Sequence, residues 1–240
     1  MDWRQQCAVV IPCRNEEAAI GDLVRAVHEV IPTVMVVDDG STDETVREAR
    51  GAWADVIVLG SSQGKGAALR AGWKRARDCG FQWVLCMDGD GQHAPADIPA
   101  FLSGAERTGA SLVIGNRMHE TRNMPLVRRV VNRWMSRRLS RMAGRDLPDS
   151  QCGFRLIRLE ALERIPLSTT HFEIESEQVL AFSAAGERIE FVPIQVIYKS
   201  EQSRIHPVRD TLRWFRWRKR WNASAGKKRL RERDDAEKTR

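Results

Sequence analysis

The sequence predicts an α/β chain built on a doubly wound, mostly parallel sheet with helices on both faces. Two observations carry that expectation. Short runs rich in Val and Ile alternate with segments of helical periodicity through the first half of the chain. Strand–helix alternation at this spacing calls for parallel strands joined by crossover helices. Several of the apolar runs also end in polar residues suited to ligand binding, and such sheets carry their sites at the carboxyl ends of the strands.

Residues 7–13 (CAVVIPC), 33–39 (TVMVVDD), 55–60 (DVIVLG), 83–88 (WVLCMD) and 111–115 (SLVIG) read as buried strands. Residues 16–30, 43–49, 66–77 and 97–106 read as the intervening helices. Met-Asp-Trp-Arg leads straight into the first strand, without the pattern of a signal peptide. After residue 120 the texture changes. Segment 126–142 places Val127, Val130, Val131, Trp134, Met135, Leu139 and Met142 at helical spacing, with arginines on the remaining surface. Segment 173–185 is a further helix, and 190–198 an added strand. Segment 209–221 is again helical, basic and amphipathic, with Trp214, Phe215, Trp217 and Trp221. The residues beyond it are polar and charged, the composition of a frayed tail. The reading divides the chain into a main domain, 1–205, and a basic Trp/Arg-rich segment, 206–240.

Composition narrows the class. A length of 240 residues with 42% apolar side chains suffices for one large domain or two small ones. Five cysteines, with no C-x-x-C pair, argue against a disulfide framework or a zinc site and fit a reducing compartment. No apolar run reaches the roughly 18 residues needed to span a bilayer. These features predict a cytosol-facing chain. The net charge of +7 is unevenly placed. Residues 209–231 hold ten Lys and Arg against one acid, and residues 117–145 nine Arg against one acid. That asymmetry points to an anionic partner such as a nucleic acid, an anionic lipid or a phosphorylated substrate; a solvated basic face is the plainer alternative.

Chemistry concentrates at the strand ends. The carboxylates of Asp88-Gly89-Asp90, two residues apart on a turn, can both reach one hard divalent cation. Magnesium commonly takes one or two carboxylates and then phosphate oxygens, so the pair suggests a diphosphate substrate; a simple Asp-Gly turn is the alternative. Gln92 and His93 follow and could complete or support the metal shell. Asp38-Asp39-Gly40-Ser41 ends the second strand, and an Asp there can accept hydrogen bonds from a base or ribose, as acidic residues do in dinucleotide folds; a helix N-cap is the alternative. Gln63-Gly64-Lys65-Gly66 lets backbone approach a phosphate, with Lys65 adding charge. The P-loop spacing, the G-x-G-x-x-G fingerprint after the first strand and the G-x-S-x-G elbow are absent.

In combination, IPCRNEE, VVDDGSTDET, QGKGAALRAG and MDGDGQH resemble the nucleotide-sugar domain of inverting family 2 glycosyltransferases with a GT-A fold. IGNRMHETRNMPLVRR, PDSQCGFRLIR and HFEIESEQVL narrow the resemblance to the polyprenyl-phosphate glycosyltransferases, the dolichyl-phosphate mannosyltransferase group. It covers roughly residues 7–205. The resemblance implies that Pro12, Arg14, Glu16 and Asp39 hold the base and ribose of a UDP- or GDP-sugar. Arg14 stands where many relatives have Tyr, and its guanidinium plane can stack on a base. Asp88, Asp90 and Gln92 would hold Mg2+ or Mn2+ on the donor diphosphate, with Gly89 and Lys65 beside them. Arg117 and Arg128 fall where the family binds phosphate, and Asn132 lies one helical turn beyond Arg128. Ser203 and Arg204 match a small element in the loop covering the donor.

The implied reaction moves a sugar from a GDP-mannose or UDP-glucose type donor to a polyprenyl phosphate, with inversion at the anomeric carbon. A phosphate monoester has a second pKa of about 6, so it is already a strong nucleophile's dianion at neutral pH. Cations that position it matter more than a general base, which suits Arg117, Arg128 and Arg133. The two basic amphipathic segments then read as interfacial helices on an anionic, cytosolic membrane surface. Many relatives carry transmembrane helices after this domain and this sequence does not, which leaves room for a separate membrane-spanning partner. Three rivals compete with this reading. A glycosyltransferase with a soluble or lipid-diphosphate acceptor gains from the missing spans but leaves QCGFR unused. A nucleic-acid-binding module leaves the acidic motifs unexplained. A non-catalytic homologue sits poorly with an intact Asp88 and Asp90.

Overall fold

The computed structural model describes residues 1–119, 124–197 and 212–222. The chain opens with a single helical turn, α1 (Trp3–Gln6), where the sequence suggests a direct run into the first strand. Asp2 causes the difference by capping the turn, its carboxylate accepting the Arg4 N–H at 3.2 Å. Trp3 then anchors it, donating to Glu106 at 2.8 Å and meeting Trp83 edge-on at 5.4 Å.

There follow β1 (Cys7–Cys13), α2 (Ile20–His28), β2 (Val34–Asp38), α3 (Thr45–Gly51), β3 (Asp55–Val58), α4 (Lys65–Asp78), β4 (Trp83–Cys86), α5 (Ile98–Thr108) and β5 (Leu112–Asn116). The second half adds α6 (Leu126–Ala143), β6 (Arg155–Arg158), α7 (Leu159–Arg164), α8 (Glu173–Ala184) and β7 (Ile189–Pro193). The seven strands form one sheet in the order β3-β2-β1-β4-β6-β5-β7. β6 is antiparallel to both neighbours, and the other pairings are parallel. Every residue of β1, β2 and β4 is buried. A strand buried at both odd and even positions has cover on both faces of its sheet, as parallel sheets require. α4 packs on β1 and β2, and α5 on β5 and β7.

One part of the second half departs from the expected pattern. β6 and α7 arise from PDSQCGFRLIR and the residues after it, where sequence alone suggests neither. α6 has the expected length, and its apolar stripe faces outward. Its buried residues are Asn132, Ser136 and Leu139, while Leu126, Val127, Val130, Val131 and Trp134 stand 46–77% exposed. Trp134 is therefore no core residue.

Two compact units are distinguished, Met1–Lys199 and Ser200–Arg240. In the second, residues 212–222 are helical. Spacings of three and four residues bring Trp214 to 6.2 Å from Trp217, and Trp217 to 5.9 Å from Trp221. The Arg218 guanidinium lies over the rings of Trp214 and Phe215. Arg204, Ser203 and Tyr198 fall outside the described residues, as does most of the tail. Among the described residues no helix is long and apolar enough to cross a membrane.

Candidate active site

The carboxyl ends of β1, β2, β4 and β5 lie along one edge of the sheet, because these strands run parallel. β1 has β2 on one side and β4 on the other, so the chain changes its direction of travel across the sheet at β1. Ligand crevices in open α/β sheets form at such a switch point. Pro12 and Cys13 end the buried β1, and Arg14 and Glu16 follow. Asp88-Gly89-Asp90 follows β4. The two segments touch: a Cβ built on Gly89 would lie 3.0 Å from Cys13 Cβ and 3.3 Å from Glu16 Cγ.

Asp39, just past β2, organises the loop that leads into α4. Its carboxylate accepts N–H groups from Gln63 at 2.6 Å and Gly64 at 2.9 Å, and the Ser62 hydroxyl at 3.0 Å. Arg14 Nη1 donates to the same Ser62 hydroxyl at 3.0 Å. Arg14 and Asp39 are thereby joined through Ser62. Glu16 donates its backbone N–H to Thr45 Oγ1 at 2.7 Å.

Lys65, the first residue of α4, reaches back under the acidic turn. Its Nζ lies 2.5 Å from Asp88 Oδ1 and 2.6 Å from Glu175 Oε1. Burial lowers the ammonium pKa, but Asp88 and then Glu175 outweigh it, and Lys65 is held above its usual range. Burial likewise pushes Asp88 up; Lys65 and then His93 outweigh that and hold the carboxyl well below the ordinary range. Asp90 goes the other way, raised by burial and by the neighbouring Asp88 charge. His93 is buried and stacks on Phe154 at 5.0 Å. Its Nδ1 accepts the Asp88 backbone N–H at 3.2 Å, which leaves the proton of the neutral ring on Nε2, 3.9 Å from Asp88 Oδ2.

The QCGFR segment has a structural explanation. Arg155 is 2% exposed and donates to the carbonyls of Ser150, Cys152 and Glu175 and to Gln178 Oε1, at 2.7–2.8 Å. One guanidinium thus ties the loop before β6 to the first turns of α8, which carry Glu175. Gly153 sits within that loop against the ion pair. A Cβ there would fall 2.7 Å from Asp88 Oδ2 and 2.8 Å from Lys65 Nζ, so any other residue would make one of these side-chain ends shift. Glu177 braces the approach to α8, accepting the N–H and hydroxyl groups of both Ser168 and Thr169.

The arginine-rich side is equally specific. Arg117, following β5, is buried and paired with the fully buried Asp149, through Nε at 2.8 Å and Nη2 at 2.9 Å. Burial opposes both charges and the pairing overcomes it, raising Arg117 and lowering Asp149. Two edges of the Arg117 fork are therefore occupied, although its charge still favours ionised Asp88. Arg128 of α6 donates through Nη1 to Gln92 Oε1 at 3.3 Å, which links that helix to the acidic turn. One turn on, Asn132 is buried, and its Nδ2 has no hydrogen-bond partner among the described residues.

Contacts thus link Pro12 and Glu16 to Gly89, Lys65 to Asp88, Asp90 to Gln92 and Gln92 to Arg128. Glu175, Gly153 and Asp149 were not singled out by sequence reasoning. Glu175 looks like any helix-surface acid, and only its burial beside Lys65 distinguishes it. The donor set suits a hard cation: Asp88 and Asp90 supply adjacent carboxylates, and the elevated Asp90 reflects a repulsion that a divalent ion would relieve. Among the described residues no group of three or more His, Cys, Asp or Glu is placed to hold a metal ion. With two carboxylates, the remaining ligands of a hard cation would have to be amide, water and phosphate oxygens.

Comparison with known proteins gives the family and the fold. Residues 8–166 match Glycosyl transferase family 2. The polyprenol monophosphomannose synthase of Mycolicibacterium smegmatis is 34% identical over 180 residues, 68% of this chain and 66% of that protein. The undecaprenyl-phosphate mannosyltransferase of Micrococcus luteus is 32% identical over 207 residues, 78% of this chain and 82% of its own. Among solved structures, glucosyl-3-phosphoglycerate synthase from Mycobacterium tuberculosis, in complex with Mn2+, UDP and phosphoglyceric acid, shares the fold. It superposes with a TM-score of 0.66 at 22% identity, over 82% of this chain and 72% of that one. A mostly parallel α/β sheet of GT-A type, acidic residues at its switch point and a family match over most of its length lead to one conclusion: the chain belongs to glycosyl transferase family 2, and its relatives include polyprenyl-phosphate glycosyltransferases.

Proposed function

We infer that the chain transfers a sugar from a nucleotide-sugar donor of the GDP-mannose or UDP-glucose type to a polyprenyl phosphate, inverting the anomeric carbon, at the cytosolic surface of an anionic membrane. One observation carries this reading: Arg128 joins α6 to Gln92 beside the acidic turn. The helix so joined turns Leu126, Val127, Val130, Val131 and Trp134 outward among arginines. An exposed apolar stripe flanked by cations suits the interface of an anionic bilayer. The acceptor phosphate of a membrane lipid would therefore arrive on the side of the site where Arg128 and Asn132 stand. The buried, unpartnered Asn132 Nδ2 is a donor that an acceptor oxygen could satisfy, and the partly engaged Arg117 adds positive potential.

On the donor side, Pro12, Arg14, Glu16 and Asp39 are the candidates for base and ribose, with Arg204, outside the described residues, added by the family resemblance. Asp88, Asp90 and Gln92 would hold Mg2+ or Mn2+, with Gly89 giving the turn its close approach to β1. A bound divalent ion would neutralise charge developing on the departing nucleoside diphosphate. Lys65 stands where it can add to that neutralisation. The acceptor, already ionised at neutral pH, needs positioning by Arg128 and Asn132 for in-line attack more than it needs proton removal.

The experiment is incorporation of labelled sugar, from a panel of UDP- and GDP-sugars, into undecaprenyl or dolichyl phosphate with Mn2+. Asp90→Asn serves as the control. The expected result is label in the organic extract that disappears in the variant. Nucleoside diphosphate release without lipid label would refute the acceptor, and label unaffected by Asp90→Asn would refute the metal assignment.

A further inference from the structure

Lys65 bridges two acids that come from different elements. It opens α4, Asp88 follows β4, and Glu175 lies in the first turn of α8. The three side chains are 13%, 31% and 8% exposed, and the Phe172 ring lies 5.8 Å from Nζ. An ammonium on Asp88 Oδ1 neutralises the same carboxylate that a divalent cation would need, so the two compete for it. Lys65 differs from a fixed ion pair because it has a second acid within reach. It can release Asp88 and still remain paired with Glu175. Gly153 keeps this arrangement open, since any side chain there would intrude on both Nζ and Asp88.

We propose that Lys65 is the resident counter-cation of the donor site, seated on Asp88 in the metal-free protein and withdrawing toward Glu175 and the donor diphosphate when Mg2+ or Mn2+ binds. Glu175 is then a positioning residue that sets how strongly Lys65 competes for Asp88. The inference rests on the reading of Asp88 as a metal ligand. It implies that metal alone binds weakly and that metal and nucleoside diphosphate bind with mutual support, because the diphosphate offers Lys65 another anion.

Two variants should act in opposite directions. Lys65→Met removes the competitor, and affinity for bare Mn2+ should rise by about tenfold, a modest share of what close charge pairs contribute. The same variant should lose most of the gain in Mn2+ affinity that UDP or GDP confers. Glu175→Gln leaves Lys65 with Asp88 alone, and affinity for bare Mn2+ should fall by about tenfold. If both residues merely braced the site, both substitutions would weaken Mn2+ binding.

The measurement is a Mn2+ titration of the full chain followed by the electron paramagnetic resonance of free Mn2+, with and without UDP or GDP. Thermal melts establish that each variant is folded. Lys65→Met binding bare Mn2+ no more tightly than wild type would overturn the proposal, as would Glu175→Gln binding it no more weakly. Should Lys65→Met fail to fold, Lys65→Gln, which also removes the charge, takes its place in the same titration with the same expected direction. Wild type that retains no Mn2+ even with nucleotide removes the metal reading and this inference together. Wild type that binds Mn2+ and nucleotide, with variants moving in the wrong direction, removes only the inference.

Discussion

Asp149→Ala is the most exacting perturbation of the site's frame. Asp149 is fully buried and accepts four N–H groups: Arg117 N at 3.0 Å, Nε at 2.8 Å, Nη2 at 2.9 Å and Gln151 N at 3.3 Å. Truncation leaves the buried Arg117 guanidinium without its counter-charge, a loss of about 3–5 kcal/mol for a buried pair broken on one side. For a chain of this size that corresponds to a fall in Tm on the order of 6–20 °C. Urea unfolding monitored by tryptophan fluorescence gives the free energy directly, provided the m-value is unchanged. Pairing the change with Arg117→Met should recover much of the loss, because no buried charge then remains. The pH dependence has a definite sign. Arg117 lowers the folded-state pKa of Asp149, so its contribution is complete above the ordinary carboxylate value of about 3.9 and is lost as pH falls through the lowered one. Asp149→Ala should remove that part of the acid sensitivity. A loss below about 1 kcal/mol, the range of exposed pairs, would refute the argument that this pair is desolvated.

Three other outcomes are expected. Gly153→Ala should cost about 1–3 kcal/mol by overpacking and should disturb Mn2+ binding, because its Cβ enters the Lys65–Asp88 contact. Unchanged stability and Mn2+ affinity would mean the loop before β6 yields freely. Arg128→Ala should raise the KM for the lipid phosphate by about tenfold while moving the donor KM far less, consistent with one lost charge-assisted hydrogen bond; equal losses would place the acceptor elsewhere. Replacing Val127, Val130 and Trp134 together with Ser should leave Tm nearly unchanged, since all three are exposed, yet reduce sedimentation with anionic vesicles by about tenfold or more. Vesicle binding that survives would remove α6 as the membrane face.

Much of the fold is written locally. β1, β2, β4 and β5 announce themselves because an inner parallel strand must be apolar along its whole length, and CAVVIPC or VMVVD leaves little other reading. β6 hides because only two of its four residues, the buried Leu156 and Ile157, are apolar, and because it opens on Arg155, whose charge reads as surface until four buried acceptors are found around it. The facing of α6 was legible only in part. Its apolar stripe has the spacing of a core face, and it was the arginines among those residues that suggested an outward, interfacial face. At the site, the carboxylates of Asp88 and Asp90 were legible because they stand two residues apart just past a strand. Glu175 was not, since its meaning depends on a lysine 110 positions away in sequence.

The placement of β6 also governs how the sheet can be assembled. β6 lies between β4 and β5, although it is made after both. As the chain emerges from the ribosome, β1 to β4 can pair among themselves, but β4 must wait with an open edge through α5, β5 and α6. Only when residues 155–158 appear can the two halves of the sheet be stitched together. Unpaired strand edges template association with other chains, so this interval is the nascent protein's period of greatest exposure to aggregation. Any truncation ending before residue 158 would make that exposure permanent. A fragment library should therefore show solubility rising abruptly once β6 is included, even though the residues responsible number four.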